Sequence, residues 1–352
     1  MKAILTRGAT ASVLLYLYAG MLAPAVPRQA RASASVTSPG RATQAPAGAC
    51  DPSTDYGDAN GIALDARGDI YTAVGAPSAA GGGAVGIEIR KWSATGRLLA
   101  TWMTAGMRRD AGYHPAGVAV DAHGAIYVSD ANAGHIVKLS ATGRVLATWG
   151  APGTAAGQFD RPAGIAVDRH GDVYVADKGN GRVQVLDATG RPRAAWRLPS
   201  PGPGQTSLPS GIAVDGRGRV YVADEAIRIL VLSPHGAILR AWGSKGGRPD
   251  QFRHPVGIAL DPGGRLDIAD KLNARVQQFS ASGAPLTRWT TGTNASGQFA
   301  AQGAGPAQPA FPTGVAVDAH GTVYVVAGWC ASRVQAFTPA GRAITSWPVT
   351  VM

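Results

Sequence analysis

The sequence predicts an all-β protein, a six-bladed β-propeller with four antiparallel strands per blade. Three observations predict it. A short pattern of the form Gly-[Ile/Val]-Ala-[Val/Leu]-Asp recurs six times, at Gly61, Gly117, Gly164, Gly211, Gly257 and Gly314, with spacings of 56, 47, 47, 46 and 57 residues. A period of this size marks stacked supersecondary units rather than a single irregular core. Each copy holds two apolar, β-branched runs joined by Asp-x-x-Gly, as in Asp168 to Gly171, which reads as strand, tight turn, strand. Each copy also ends in Trp, at Trp102, Trp149, Trp196, Trp242, Trp289 and Trp347, so six of the eight Trp share one packing position.

Taken in chain order, the first 34 residues read as an export signal. Lys2 and Arg7 precede an uncharged, mostly apolar stretch over 9–26, and Ala32-Ser33-Ala34 fits a small-residue cleavage site, with Ala23-Pro24-Ala25 as a second candidate. An uncleaved membrane anchor is the alternative; Gly20 and Pro24 argue against it. Residues 35–57 form a linker carrying Cys50, and the propeller is expected over 58–352. The formal net charge is +11, and loss of Lys2, Arg7, Arg28 and Arg31 with the signal leaves +7. The basic residues are dispersed, which suits a solvated surface and argues against a nucleic-acid partner. A secreted or cell-wall-associated monomer, with no stable membrane insertion after cleavage, is the expectation.

Within a copy, "VYVAD" is the second strand, "RVQVLD" or its equivalent the third, and the run ending in Trp the fourth. Alternation sets Gly164 and Ala166 on one face and Ile165 and Val167 on the other. Ala recurs at the third position of every copy, where crowding of inner strands around the axis calls for a small residue. Glu is restricted to Glu88 and Glu225, an odd depletion for a helical protein.

The pattern Pro-x-Gly-[Ile/Val]-Ala-[Val/Leu]-Asp-x-x-Gly-x-[Ile/Val/Leu]-Tyr-Val-x-Asp, then Asn-x-Arg-[Ile/Val]-Gln, resembles the NHL repeat. It is clearest over Pro162 to Gln184 and Pro255 to Gln277. The resemblance implies a six-bladed propeller, in agreement with the count. Departures are local: Val74 and Ala327 replace the strand-ending Asp in the first and last copies, the fourth copy has a shortened loop, and Asp267 replaces Tyr in the fifth.

Cys50 precedes the first blade and Cys330 lies in the sixth. These blades are neighbours in a closed ring, so a Cys50–Cys330 disulfide is expected; it would close a loop of about 280 residues and contribute about 5 kcal/mol. A lipidated Cys50 is the alternative, but residues 46–50 lack the usual Leu.

The loops entering the inner strands and those between second and third strands share one face and vary most, which marks that face for binding. Its candidate ligand residues are His114, Arg161, Lys178, Asn180, His254, Lys271, Asn273, Phe311 and Trp329. Trp329 lies outside the repeated Trp position, either as a binding aromatic or as a shield for Cys330. His114 and His254 fall in opposed blades, too far apart to share one ion. Amidating lyases, which are similar propellers, carry His directly after the Pro; here those positions are Asn60, Ala116, Ala163, Ser210, Val256 and Thr313. Gluconolactonase-like propellers use an axial metal held by Glu and Asn, a set that two Glu hardly supply. No G-x-S-x-G, H-E-x-x-H or phosphate loop occurs. The sequence therefore predicts no catalytic residues, no metal and no cofactor. The expected protein is a secreted, non-enzymatic binding or scaffold propeller that recognises a protein, peptide or cell-wall ligand on its variable loop face; the alternative is a propeller hydrolase or lyase, gluconolactonase-like or amidating-lyase-like, with a divergent metal site.

Overall fold

The structure, a computed structural model, describes residues 61–77, 84–104, 114–291, 311–327 and 332–349. They form six four-stranded antiparallel sheets, each with its strands hydrogen-bonded in chain order. The third sheet is representative, with strands Pro162–Val167, Val173–Asp177, Arg182–Leu186 and Pro192–Arg197 running from the axis outward. The inner strands Gly61–Leu64, Pro115–Val120, Pro162–Val167, Pro209–Val214, Pro255–Leu260 and Pro312–Val317 neighbour one another round the ring, the last meeting the first. A short parallel pair, Ser244–Lys245 with Gln251–Phe252, decorates the passage from the fourth blade to the fifth. Among the described residues no helix is long and apolar enough to cross a membrane.

The Asp-x-x-Gly turn forms for a local reason. The Gly171 N–H donates to Asp168 O at 3.1 Å, while Asp168 Oδ1 accepts the N–H groups of His170 and Asp172 at 2.8 and 3.0 Å. The Tyr174 hydroxyl donates to Asp168 Oδ2 at 3.3 Å, so the recurring Tyr fastens its own turn. In the fifth blade, where Asp267 replaces Tyr, Arg265 Nε takes over and donates to Asp261 Oδ2 at 2.6 Å.

Second strands are buried on both faces and fourth strands are largely exposed. The core is therefore divided among the seams between blades, because the two faces of each twisted sheet pack on different neighbours. Ile165 and Val175 pack with Tyr127 and Ile136 of the second blade, whereas Tyr174 and Val185 pack with Val220 and Leu230 of the fourth. The seam that closes the ring is built likewise: Ile62, Ile70 and Trp92 meet Tyr324, Val334 and Trp347. Arg90 bridges this seam, pairing with Glu88 at 2.6 Å and donating to the carbonyl of Val349. Cys50 and Cys330 lie outside the described residues.

The recurring Trp has a specific seat. Each lies on the turn glycine between third and fourth strands of the next blade: Trp102 on Gly143, Trp149 on Gly190, Trp196 on Gly236, Trp242 on Gly283, Trp289 on Gly341, and Trp347 on Gly96 of the first blade. Gly190 combines φ +87° with a Cβ direction 2.5 Å from the Trp149 ring. Gly171, at φ +83°, would bring its Cβ only into ordinary contact with Ala188 at 3.4 Å. Gly171→Ala is thus expected to cost about 1–2 kcal/mol of backbone strain. Gly190→Ala should add about 1–3 kcal/mol of overpacking, and urea denaturation of the two variants measures the difference.

Crowding at the axis is visible at the glycines of the inner strands. A Cβ on Gly164 would sit 2.3 Å from the Ser210 carbonyl oxygen, whereas Ala166 is half-buried against the third–fourth seam.

Candidate functional site

A buried Asp ends the second strand in four blades: Asp130, Asp177, Asp224 and Asp270. Each accepts backbone N–H groups from the segment entering its own inner strand. Asp130 Oδ1 accepts from His114, Asp224 Oδ1 from Leu208, and Asp270 Oδ1 from Arg253 and His254. Asp177 accepts from Asp160 and also from Arg182 Nε at 2.7 Å; Arg182 spends its other nitrogens on the carbonyls of Thr154, Ala155 and Gln158. These carboxylates are scaffold, and their task is to hold the loops of one face in place. In the sixth blade Ala327 stands where the Asp would be. The corresponding Arg333 keeps a bond to Ser346 Oγ at 3.1 Å, and burial pushes its guanidinium below the usual range.

The residue after each of these Asp faces the axial mouth. In three blades its backbone is tied to the residue preceding the inner strand: Ala131 N–H to His114 O, Glu225 N–H to Leu208 O, and Lys271 N–H to His254 O, at 2.9–3.0 Å; in the third blade Gly179 N–H donates to Asp160 O instead, at 2.7 Å. The result is a cavity of about 360 Å³ on the axis. Its floor is the ring of inner-strand residues, including Ile165, Ile212 and Ile258, and its polar wall carries His114, Arg161, Lys178, Glu225, His254 and Lys271.

Five of the candidate ligand residues thus come together: His114, Arg161, Lys178, His254 and Lys271. Asn180 and Asn273 do not line this cavity. Asn180 Nδ2 donates to Gly153 O and Asp177, and Asn273 Nδ2 to Gly246 O and Asp270, so both amides tie loops. Phe311 is half-buried and not part of the cavity wall. Trp329 lies outside the described residues.

The residue that sequence reasoning missed is Glu225. Its Oε1 accepts from Lys178 Nζ at 2.7 Å and its Oε2 lies 3.2 Å from His254 Nε2. Three blades meet in this contact. Burial by itself would raise the carboxyl, but the hydrogen bond from His254 and the charge of Lys178 outweigh it and hold the group at about 2. The bond fixes the neutral His254 as the Nε2–H tautomer, leaving the lone pair on Nδ1. The Nδ1 atoms of His254 and of His114 are buried with no hydrogen-bond partner. Among the described residues no three His, Cys, Asp or Glu side chains gather as metal ligands.

Comparison with known proteins agrees with the architecture. The NHL repeat model matches residues 159–186, in the third blade. No curated protein matches the chain in sequence. Among solved structures, a streptogramin B lyase superposes with TM-score 0.58 at 17% identity, covering 86% of each chain. A catalytically inactive histidine variant of virginiamycin B lyase from Staphylococcus aureus, with quinupristin, gives TM-score 0.57 at 15% identity, over 86% of this chain and 87% of that one. U3-55K gives 0.54 at 17%, over 83% and 82%. At such identities these likenesses concern the fold alone. The chain is a six-bladed β-propeller bearing an NHL repeat.

Proposed function

We propose that the protein is a small-molecule lyase or hydrolase working in the axial cavity, with His254 as its acid–base group. One observation carries this reading: in the cavity wall His254 Nε2 lies 3.2 Å from the ionised carboxylate of the half-buried Glu225, so that imidazole and carboxylate form an acid–base pair. A carboxylate beside an imidazole orients the ring and stabilises the imidazolium that forms when the pair takes up a proton. Lys178 holds Glu225 in place from the opposite side. The remaining cavity wall, with its cations and inner-strand backbone, offers groups to polarise a carbonyl or receive a leaving oxygen. Two of the similar propellers are lyases by name, which supports a lyase on the same architecture.

Turnover of a panel of esters, lactones and quinupristin by the purified protein tests this reading. At least one compound should be consumed, and His254→Ala should lower kcat by about 10²–10⁴-fold while remaining folded at the assay temperature. Consumption by wild type no faster than by His254→Ala overturns it. The convergence of five candidate ligand residues on one cavity also suits a propeller that binds without converting its ligand. Saturable binding with no turnover selects that second reading.

Export of the chain after cleavage near Ala34, and a Cys50–Cys330 link across the ring closure, complete the proposal. Intact mass under non-reducing conditions should show the shortened chain with both thiols oxidised; two free thiols refute the link.

A further inference from the structure

We propose that the axial cavity takes a small organic ligand bearing a carboxylate or phosphate group, seated on Lys271 and Arg161 beside His254. The proposal rests on the cavity being the functional site and adds the charge class of what enters it.

Three cations line the cavity, Arg161, Lys178 and Lys271, against a single carboxylate, Glu225. That carboxylate is already committed. Lys178 and Lys271 hold the same place in the third and fifth blades, each opening a one-turn 3-10 helix, Lys178–Asn180 and Lys271–Asn273. Lys178 receives its acid from the next blade, Glu225 at 2.7 Å. The residue at the matching place after the fifth blade is Gly328, which has no carboxylate to offer. Lys271 accordingly has no ion pair among the described residues.

The backbone beneath Lys271 is nonetheless fixed. Its N–H donates to His254 O at 2.9 Å, and the turn it opens is pinned by Asn273 through Gly246 O and Asp270. An ammonium group is therefore delivered to the mouth without a counter-charge. Arg161 presents a second cation, a guanidinium. It sits at φ +48°, a left-handed conformation that a non-glycine residue adopts only when its surroundings impose it. Its side chain is 60% exposed, and its one ionic contact among the described residues is Asp160 Oδ1 at 3.6 Å, too long for a hydrogen bond. His114 and His254 line the same wall.

Low-dielectric walls lined by one sign of charge concentrate the opposite sign. Below the cations the inner strands close the cavity, with Ile165, Ile212 and Ile258 among its lining residues. The arrangement suits a ligand with an organic body and an anionic group at one end.

Isothermal titration calorimetry at low ionic strength tests this with three probes: citrate, inorganic phosphate and the uncharged triethyl citrate. Citrate and phosphate separate a carboxylate preference from a phosphate one. Saturable binding of at least one anion is expected, weakening as salt is added, with no binding of the triester. Lys271→Gln and Arg161→Gln should each weaken the anion about tenfold or more, while Arg97→Gln, on an exposed turn outside the cavity, leaves it unchanged. Melting curves without ligand confirm that each variant is folded, and Arg161→Gln carries the test if Lys271→Gln is not. Equal binding of citrate and its triester, wild-type affinity in both cavity variants, or absence of saturable binding overturns the proposal. Turnover plays no part in this readout. Failure here with intact His254-dependent turnover refutes only the charge class; anion binding without turnover refutes only the catalytic reading.

Discussion

Glu225→Gln is expected to lower the stability of the propeller by up to about 3 kcal/mol at neutral pH. The substitution preserves shape and removes the charge that two neighbouring groups face. In the folded protein Glu225 is held near 2, against an ordinary glutamate value of 4.5. A carboxyl depressed in this way stabilises the fold fully above its unfolded value, and the contribution is lost as pH falls through the folded one. The window therefore runs from about 4.5 down to about 2. Lys178, 26% exposed, recovers part of the loss by turning to solvent, so the figure is an upper bound. Urea denaturation of wild type and variant at pH 7 and at pH 3 measures the effect. The difference between them should shrink at the lower pH; an equal difference at both would contradict the ion-paired geometry.

Asp267→Asn is expected to act in the opposite direction, raising stability by as much as about 4 kcal/mol at pH 8. Asp267 occupies the place of the recurring Tyr and is fully buried. Burial pushes its carboxyl up to about 7; Gln278 Nε2, donating to Oδ1 at 3.1 Å, offsets this in part, and the Asp261 carboxylate adds to it. Its Oδ2 has no partner. Because the folded value lies above the unfolded one, ionisation opposes folding. The cost is absent below about pH 4, grows between 4 and 7, and is complete above 7. Asn keeps the size and removes the charge. Melting temperatures across that range should converge at pH 4 and separate at pH 8. Identical pH profiles for the two proteins would show that Asp267 is not a buried acid.

The architecture was legible because each blade repeats its own instructions. Asp168, Gly171 and Tyr174 specify one turn through contacts within seven residues, and five other copies say nearly the same. The Trp position was legible as a repeat, but its partner was not, since Trp149 packs on Gly190 of a different blade. Alternation gives a face without giving the distance between neighbouring strands, so the close approach at Gly164, whose Cβ would sit 2.3 Å from the Ser210 carbonyl oxygen, is not legible in the sequence.

The site was legible in part. His114, Arg161, Lys178, His254 and Lys271 stood out as departures from the repeat, and the ring brings them to one cavity. Asn180 and Asn273 stood out equally, yet buried Asp177 and Asp270 claim their amides. Glu225 escaped notice because the fourth loop is shorter than its counterparts, which obscured the alignment. Aligning on the strand-ending Asp instead places Ala131, Lys178, Glu225 and Lys271 in one register. Opposite charges in adjacent copies at that register are the signal that would have found the contact.

The central claim is that Glu225 joins Lys178 and His254 into one charged unit at the mouth of the cavity. Side-chain ¹⁵N NMR of His254 at alkaline pH, in wild type and in Glu225→Gln, tests it most directly. The geometry predicts the Nε2–H tautomer in wild type and a changed tautomer balance in the variant, with the other histidines unaffected. An Nδ1–H tautomer in wild type, or a His254 spectrum that the loss of the Glu225 charge leaves unchanged, would contradict it.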